Sequence, residues 1–283
     1  MVVEMSVFNR DEFEKFRDFF YRKTGIWFDD KKFDFVERRI EERMSAVAYD
    51  SFRSYFAFLR MDFKGGEMEQ LTNLLTVNET YFYREEYQFK CLVNSVLDEV
   101  ARRKKPGEAI RIWSVPCSTG EEPYSIALYL LEHWPAINDR DVAIMASDID
   151  TVVLSKAKRG IYGVRSLQNL PESVREHYFS ARPGRDEWEI SNDIKEAIEF
   201  SQVNLNDLQS HKQMRNFDVI FCRNVLIYFD EVSRRKVAEG LFDAMNPGGF
   251  ILLGHSESMS RISPLFRVRK FPDAMIYQKP LTL

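Results

Sequence analysis

Two adjacent glutamates, Glu121 and Glu122, follow a loop with a single glycine, Cys117-Ser118-Thr119-Gly120. A pyrophosphate cradle wants G-x-G-x-x-G, and a P-loop wants a lysine after its glycines. Neither pattern is present. Paired carboxylates repel a phosphate and favour a ligand with positive charge, such as an ammonium or a sulfonium. A third acid, Asp148, lies 28 positions after Gly120 (148 − 120), where a second strand is expected to end. A carboxylate in that place can accept hydrogen bonds from ribose hydroxyls. Its competing role is to cap the helix from Thr151 onward, and it can share both roles with Asp150. A ribose with a cationic, phosphate-free tail describes S-adenosylmethionine better than NAD.

No general base accompanies these acids. The four histidines, His133, His177, His211 and His255, are scattered. The cysteines, Cys91, Cys117 and Cys222, are odd in number and lack metal-ligand or disulfide spacing, which suits a reducing cytosol. No metal site is expected.

The acids need a scaffold, and the stretch 110–131 reads as one. Ile110 to Val115 is a β-branched and aromatic run typical of a buried strand, and helical spacing takes over from Pro123. Ser118 or Thr119 can cap that helix, whose positive end suits the two glutamates. Further strands are expected at Asp141 to Ser147, Ile198 to Asn204, Phe217 to Cys222, Phe250 to Gly254 and Ala274 to Gln278, with a loop and bulge over 256–271. Helices are expected at 85–105, 151–158 and 231–245. This alternation predicts an α/β fold with a doubly wound, mostly parallel sheet whose last strand is reversed. Residues about 162–200 interrupt it as a small β-rich insertion.

Residues 1–75 read as helices. Phe13, Phe16, Phe19 and Phe20 recur at helical spacing, and so do Phe33, Val36, Ile40, Met44 and Val47. Along one flank of the second stripe run Lys32, Arg39 and Arg43. They form either a solvated flank or a docking strip for an acidic protein partner.

At 283 residues, 45% hydrophobic, with 23 Phe and a net charge of -4, the chain can bury a large core and offers no global case for nucleic-acid binding. The start of the chain, with Glu4, Arg10 and Asp11, lacks an apolar export segment, and no run approaches the ~20 apolar residues of a membrane span. A cytoplasmic protein is expected.

Five motifs, VNETYFYRE at 77–85, WSVPCSTGEEPYSIA at 113–127, ASDID at 146–150, FSQVNL at 200–205 and FCRNVLIYFD at 221–230, together resemble the chemotaxis receptor methyltransferases, the CheR family. The resemblance covers nearly the whole chain. It implies a Rossmann-like S-adenosylmethionine-dependent methyltransferase sheet over 76–283, with a small antiparallel β insertion and a helical receptor-docking domain at 1–75. It also implies methyl esterification of glutamates on chemoreceptor cytoplasmic domains. Carried over residue by residue, Asn78, Thr80 and Arg84 line the cofactor pocket. Glu121, with Glu122 as its rival, faces the methionine or sulfonium end, and Asp148 meets the ribose. Asn204 with Leu205, and Arg223 with Asn224, enclose the rest of the cofactor. Arg84 and Tyr228 orient the acceptor, with S-adenosylhomocysteine as product. Lys32, Arg39 and Arg43 lead receptor docking, and a monomer without membrane insertion is expected. In some family members the insertion grips a peptide at the receptor's C-terminal tail. The chain departs from the common pattern at Val115-Pro116-Cys117 and at Tyr83, at positions taken to touch no proposed ligand.

The residues alone keep other readings open. Tyr228 can be a core aromatic, Arg84 a helix-end ion-pair partner, Asn78 and Thr80 ordinary caps, and Asn204 a turn former. A cofactor-binding sensor without transfer activity is a second function class; an NAD-type dehydrogenase is a third, disfavoured by the single-glycine loop.

Overall fold

A computed structural model describes residues 8–211 and 213–282. Residues 1–7, which carry Glu4 from the argument about an export signal, lie outside them.

Among the described residues the N-terminal part holds four α-helices, α1 (Arg10–Thr24), α2 (Phe33–Ala46), α3 (Phe52–Arg60) and α4 (Gly66–Leu75). Asn9 opens α1 with a capping box to Glu12, and Gly25 closes it in the left-handed region at φ 77. Phe13, Phe16 and Phe20 of α1 meet Val36, Ile40 and Met44 of α2 and Leu71 and Leu75 of α4, forming a core of its own. Phe19 sits at the edge of that core, edge-on to Phe56.

The described residues of the remainder hold ten strands: β1 (Ile110–Ser114), β2 (Val142–Asp148), β3 (Ile161–Gly163), β4 (Phe179–Ala181), β5 (Glu187–Ile190), β6 (Ile198–Gln202), β7 (Phe217–Cys222), β8 (Met245–Leu253), β9 (Arg267–Lys270) and β10 (Met275–Gln278). Seven form one sheet in the order β6-β2-β1-β7-β8-β10-β9. The first five are parallel, and β10 runs antiparallel to both its neighbours. Central strands alternate between two buried faces: Val219 and Phe221 of β7 enter one core, Ile220 and Cys222 the other.

Three expectations need correction. β6 belongs to the main sheet, so the insertion proper is the three-stranded β3-β5-β4 sheet with its short helices. The stretch expected as loop and bulge contains β9, a polar edge strand with no apolar alternation to betray it. β8 begins at Met245, running through the Asn246-Pro247-Gly248-Gly249 turn signal, with a register shift against β7.

The two parts meet beside the parallel strands' C-terminal ends. Asn73 on α4 exchanges hydrogen bonds with Thr151, and Thr76 donates to Asp150 Oδ2 at 2.8 Å. Trp27 N–H donates to the Tyr228 carbonyl at 3.1 Å. Gly25 is required there: a Cβ would stand 2.7 Å from the Phe229 ring.

Candidate active site

The helix that follows β1 spans Glu121–His133 and starts from Gly120 at φ 94, with no side chain capping it. This corrects Ser118 and Thr119 as caps: the Thr119 hydroxyl turns instead to Glu121 Oε2, at 2.6 Å. Gly120 is present for packing. A Cβ there would lie 2.9 Å from Ala157 Cβ and 3.0 Å from the Tyr162 hydroxyl. The loop thus folds down onto the helix Thr151–Arg159 and leaves its other side open.

Asp148 ends β2 beneath this loop. Its Oδ2 accepts from Ser118 N–H at 2.8 Å and its Oδ1 from Asp150 N–H at 3.0 Å. The cap of the following helix is Asp150, whose Oδ1 accepts from Val152 and Val153 N–H. The capping role thus falls to Asp150, leaving Asp148 facing the cleft. Burial pushes the Asp148 carboxyl up to about 6, against its two N–H donors.

Two adjoining cavities lie at the C-terminal ends of β1, β2, β6 and β7, where open α/β sheets place ligands. The larger, of about 540 Å³, is walled on one side by Trp27, Phe28 and Phe35 of the helical part and on the other by Ile149, Val203 and Leu205. The smaller, of about 60 Å³, is polar, with Thr80, Arg84, Glu122 and Arg223 in its lining. Asn78, Asp148 and Asn224 border both. A mostly apolar chamber joined to a small polar one has the shape a nucleoside with an amino-acid tail requires.

Nearly all the residues expected at the site converge here. Asn78 donates its amide to Asp150 Oδ2 at 3.0 Å. Asn204 and Leu205 line the large cavity, although the Asn204 amide itself donates to the Lys23 carbonyl at 2.9 Å, tying α1 to the sheet. Tyr228 lines the large cavity and Arg84 the small one. Burial raises the Tyr228 phenol, and the positive charge of Arg84 opposes that rise.

Glu121 is the exception. Its carboxylate accepts from Thr119 and from Ser166 Oγ at 2.9 Å, at the joint with the insertion, and borders neither cavity. Successive helix residues point about 100° apart, so only one of an adjacent pair can face the cleft. Here it is the rival, Glu122, that lines the small cavity. Glu122 accepts from Ser114 Oγ at 2.8 Å and pairs with Arg223 at 2.8 Å. Burial raises its pKa, and Arg223 opposes this.

Arg223 lines the small cavity as expected, but much of its guanidinium is already engaged. It meets Glu122, Glu85 at 3.3 Å and the Arg84 carbonyl at 2.6 Å, while its buried Nε has no partner, so it also braces the cavity floor. Arg43 leaves the expected docking strip. It forms a two-pronged pair with the buried Glu67, at 2.9 and 2.7 Å, and Glu67 also takes the Tyr55 hydroxyl at 2.7 Å. Lys32, by contrast, borders the large cavity, and Arg39 lies exposed beside Phe35 with Glu42 as its neighbour.

Some site residues had no distinct sequence signal. Ser118 looked like a cap, yet its hydroxyl is buried at the small cavity with no partner, as a group awaiting a ligand atom is. Val115 and Pro116 line the large cavity, and Pro116 and Cys117 the small one, so the departures in the loop do touch the site. Tyr83 packs on Tyr129 and Phe89, away from both. Cys117 lies buried, its thiol pushed well up by that burial and by Asp148, which disfavours the reactive thiolate. Among the described residues no cluster is placed to hold a metal ion, and no helix is long and apolar enough to cross a membrane.

Comparison with known proteins decides between the nucleoside readings. The model of the CheR methyltransferase S-adenosylmethionine-binding domain matches residues 78–275, and that of the CheR all-alpha domain matches residues 11–76. The chain belongs to the CheR methyltransferase family. It is 50% identical to chemotaxis protein methyltransferase 2 of Vibrio cholerae, over 95% of this chain and 93% of that protein. It is 36% identical to the chemotaxis protein methyltransferase of Salmonella typhimurium, over 91% and 87%. Against chemotaxis protein methyltransferase 2 of Pseudomonas aeruginosa it is 35% identical, over 92% and 91%. This CheR-family protein is therefore a methyltransferase that uses S-adenosylmethionine, and the cleft fits that cofactor: an acid for a ribose, an apolar wall for a base, and a polar annex with an unpartnered hydroxyl for the tail.

Proposed function

We propose that this enzyme methylates glutamate side-chain carboxylates on chemoreceptor cytoplasmic domains, forming methyl esters for sensory adaptation. The observation that carries the reading is that, among the described residues, no histidine borders either cavity, Asp148 and Glu122 are held by the chain's own donors, and Arg84 stands near enough to Tyr228 for its charge to act on that phenol. A phenol or ammonium acceptor must lose a proton to become a nucleophile, whereas a glutamate is already ionised at neutral pH, with a pKa of about 4.3. The bound cofactor supplies an electrophilic methyl group on a sulfonium. This chain's residues have to hold the carboxylate oxygen in line with it and keep water out.

The Tyr228 hydroxyl donates to one acceptor oxygen, and Arg84 holds the other or the cofactor's own carboxylate. Both are positioning bonds, since overbinding the carboxylate would blunt it as a nucleophile. Asp148 takes the ribose hydroxyls and Leu205 covers the base. Asn78, Thr80, Asn224 and the Ser118 hydroxyl meet the polar part. Glu122, braced by Arg223, offers negative charge to the cationic tail. The helical part over 1–75 docks the receptor through Lys32 and Arg39, with Arg43 supporting the fold behind them. The protein works in the cytoplasm, as a monomer.

The test is transfer of labelled methyl from S-adenosylmethionine to purified receptor cytoplasmic fragments, followed by mild alkali. Label released as methanol supports glutamate esters. Alkali-stable label, or no label on receptor, overturns the reading.

A further inference from the structure

Glu257 lies outside the motifs that carry the family resemblance and lines neither cavity of the active site, yet it holds the edge of that site. β7 and β8 end side by side, and the chain after each, 223–228 and 254–258, runs on together. The Glu257 carboxylate bridges them. Its Oε2 accepts from Asn224 N–H and Gly254 N–H, both at 2.8 Å. Its Oε1 accepts from Val225 N–H at 3.0 Å and Leu226 N–H at 2.7 Å. One carboxylate thus collects four main-chain donors, three of them consecutive. Charge-assisted bonds of this kind are the stronger class.

The segment it grips needs gripping. Asn224 sits in the left-handed region at φ 58, a conformation a non-glycine residue keeps only when its surroundings hold it there. Leu226–Tyr228 is a single 3₁₀ turn, too short to stabilise itself. Gly254 closes in from the other side: a Cβ there would stand 2.6 Å from Asn224 Nδ2 and 2.9 Å from Glu257 Oε2. From this clamped segment Asn224 borders both cavities and Tyr228 the larger one.

We propose that Glu257 is a positioning residue for methyl transfer, fixing Asn224 against the cofactor and Tyr228 against the acceptor by clamping the main chain of 224–226. The acceptor half of this inference rests on the glutamate-ester reading; the cofactor half does not.

Glu257→Gln tests it, since the amide keeps the size but turns an NH₂ group toward two N–H donors whichever way it lies. Affinity for S-adenosylhomocysteine is measured by calorimetry, and kcat and KM on receptor fragments at a temperature where melting curves show every variant folded. The expected result is a kcat at least about tenfold lower, as small misplacements at a reacting centre produce, with cofactor affinity several-fold weaker. Glu257→Asp, which keeps the charge and both acceptor oxygens, is expected to recover part of each loss. Gly254→Ala presses on the same contact and gives the same signature if Glu257→Gln does not fold. Either loss in folded protein supports the clamp. Wild-type kcat and wild-type cofactor affinity in the folded variants overturn it. Failure of the wild-type enzyme to methylate receptor would instead overturn the acceptor reading and leave the calorimetric arm standing.

Discussion

Arg223 Nη1 stands 2.8 Å from Glu122 Oε2, and the two side chains are 2% and 11% exposed. The pair joins the end of β7 to the start of the helix after β1. Through Glu85 and the Arg84 carbonyl it also joins both to the segment that carries Arg84. Three stretches of chain distant in sequence are set relative to one another by one guanidinium, so the floor of the small cavity is an electrostatic joint.

Breaking that joint from one side should be far worse than removing it. Arg223→Ala leaves Glu122 buried without a counter-charge, and a loss of about 3–5 kcal/mol in denaturant unfolding is expected. Glu122→Ala strands Arg223 and should lose a similar amount. The double replacement Arg223→Met with Glu122→Leu removes both charges and should recover most of the loss. A double variant no more stable than the singles would show that the pair is not the joint.

Asp148 sets a pH dependence. Its folded pKa, about 6, lies above the ordinary 3.8 because burial penalises the ionised form. For folding, the sign is that of any raised acid: the contribution is fully present below the unfolded value and is lost as pH rises through about 6. Ribose hydroxyls donating to the carboxylate favour the opposite, ionised form. Cofactor binding should therefore strengthen as pH rises through 6 and level off above 7. The dissociation constant for S-adenosylhomocysteine is expected to be about tenfold larger at pH 5 than at pH 7, one pH unit below the pKa. The dependence should vanish in Asp148→Asn. Calorimetric titrations across that range measure it; a flat wild-type profile would remove Asp148 from the ribose.

The sheet's central strands were legible because a strand buried on both faces writes itself as an unbroken apolar run, as Phe217–Cys222 does. The acids of the cleft were legible as types in the wrong place for phosphate. The geometry that sorts them was not. Glu121 and Glu122 differ only by one position on the helix, about 100° of rotation, and the partners that decide between them, Ser166 and Arg223, lie 45 and 101 residues away. Arg43 fell in line with Lys32 and Arg39 on a helical wheel, but a wheel cannot show Glu67 on another helix 24 residues on. β9, with the sequence Arg267-Val268-Arg269-Lys270, takes its place at the sheet edge from pairing with β10 rather than from any pattern of its own.

The split of the basic strip predicts opposite phenotypes. Arg43→Ala unpairs the buried Glu67 and should lower stability by about 3 kcal/mol in urea unfolding. Arg39→Ala, at an exposed pair, should stay within about 0.5 kcal/mol of wild type. In transfer assays the order reverses. Charge reversal at Arg39, which lines neither cavity, should raise the KM for receptor several-fold, more steeply at low salt, with cofactor affinity unchanged. A receptor KM insensitive to that reversal would move docking to another face.

Arg84 and Tyr228 give the sharpest division of labour. They approach the cleft from different chambers, Arg84 from the polar annex and Tyr228 from the wide cavity near Trp27, whose N–H holds the Tyr228 carbonyl. Tyr228→Phe removes one hydroxyl and no packing, so cofactor affinity and stability should hold while kcat falls about tenfold, the effect of one lost positioning bond of 1.4 kcal/mol or so. Arg84→Ala removes a charge that serves acceptor or cofactor carboxylate, and methyl transfer should be abolished. If Arg84 holds the acceptor, S-adenosylhomocysteine still binds that variant as it binds wild type. If it holds the cofactor's carboxylate, binding weakens by about tenfold or more. Near-wild-type turnover by Arg84→Ala on receptor fragments would remove Arg84 from the reaction altogether.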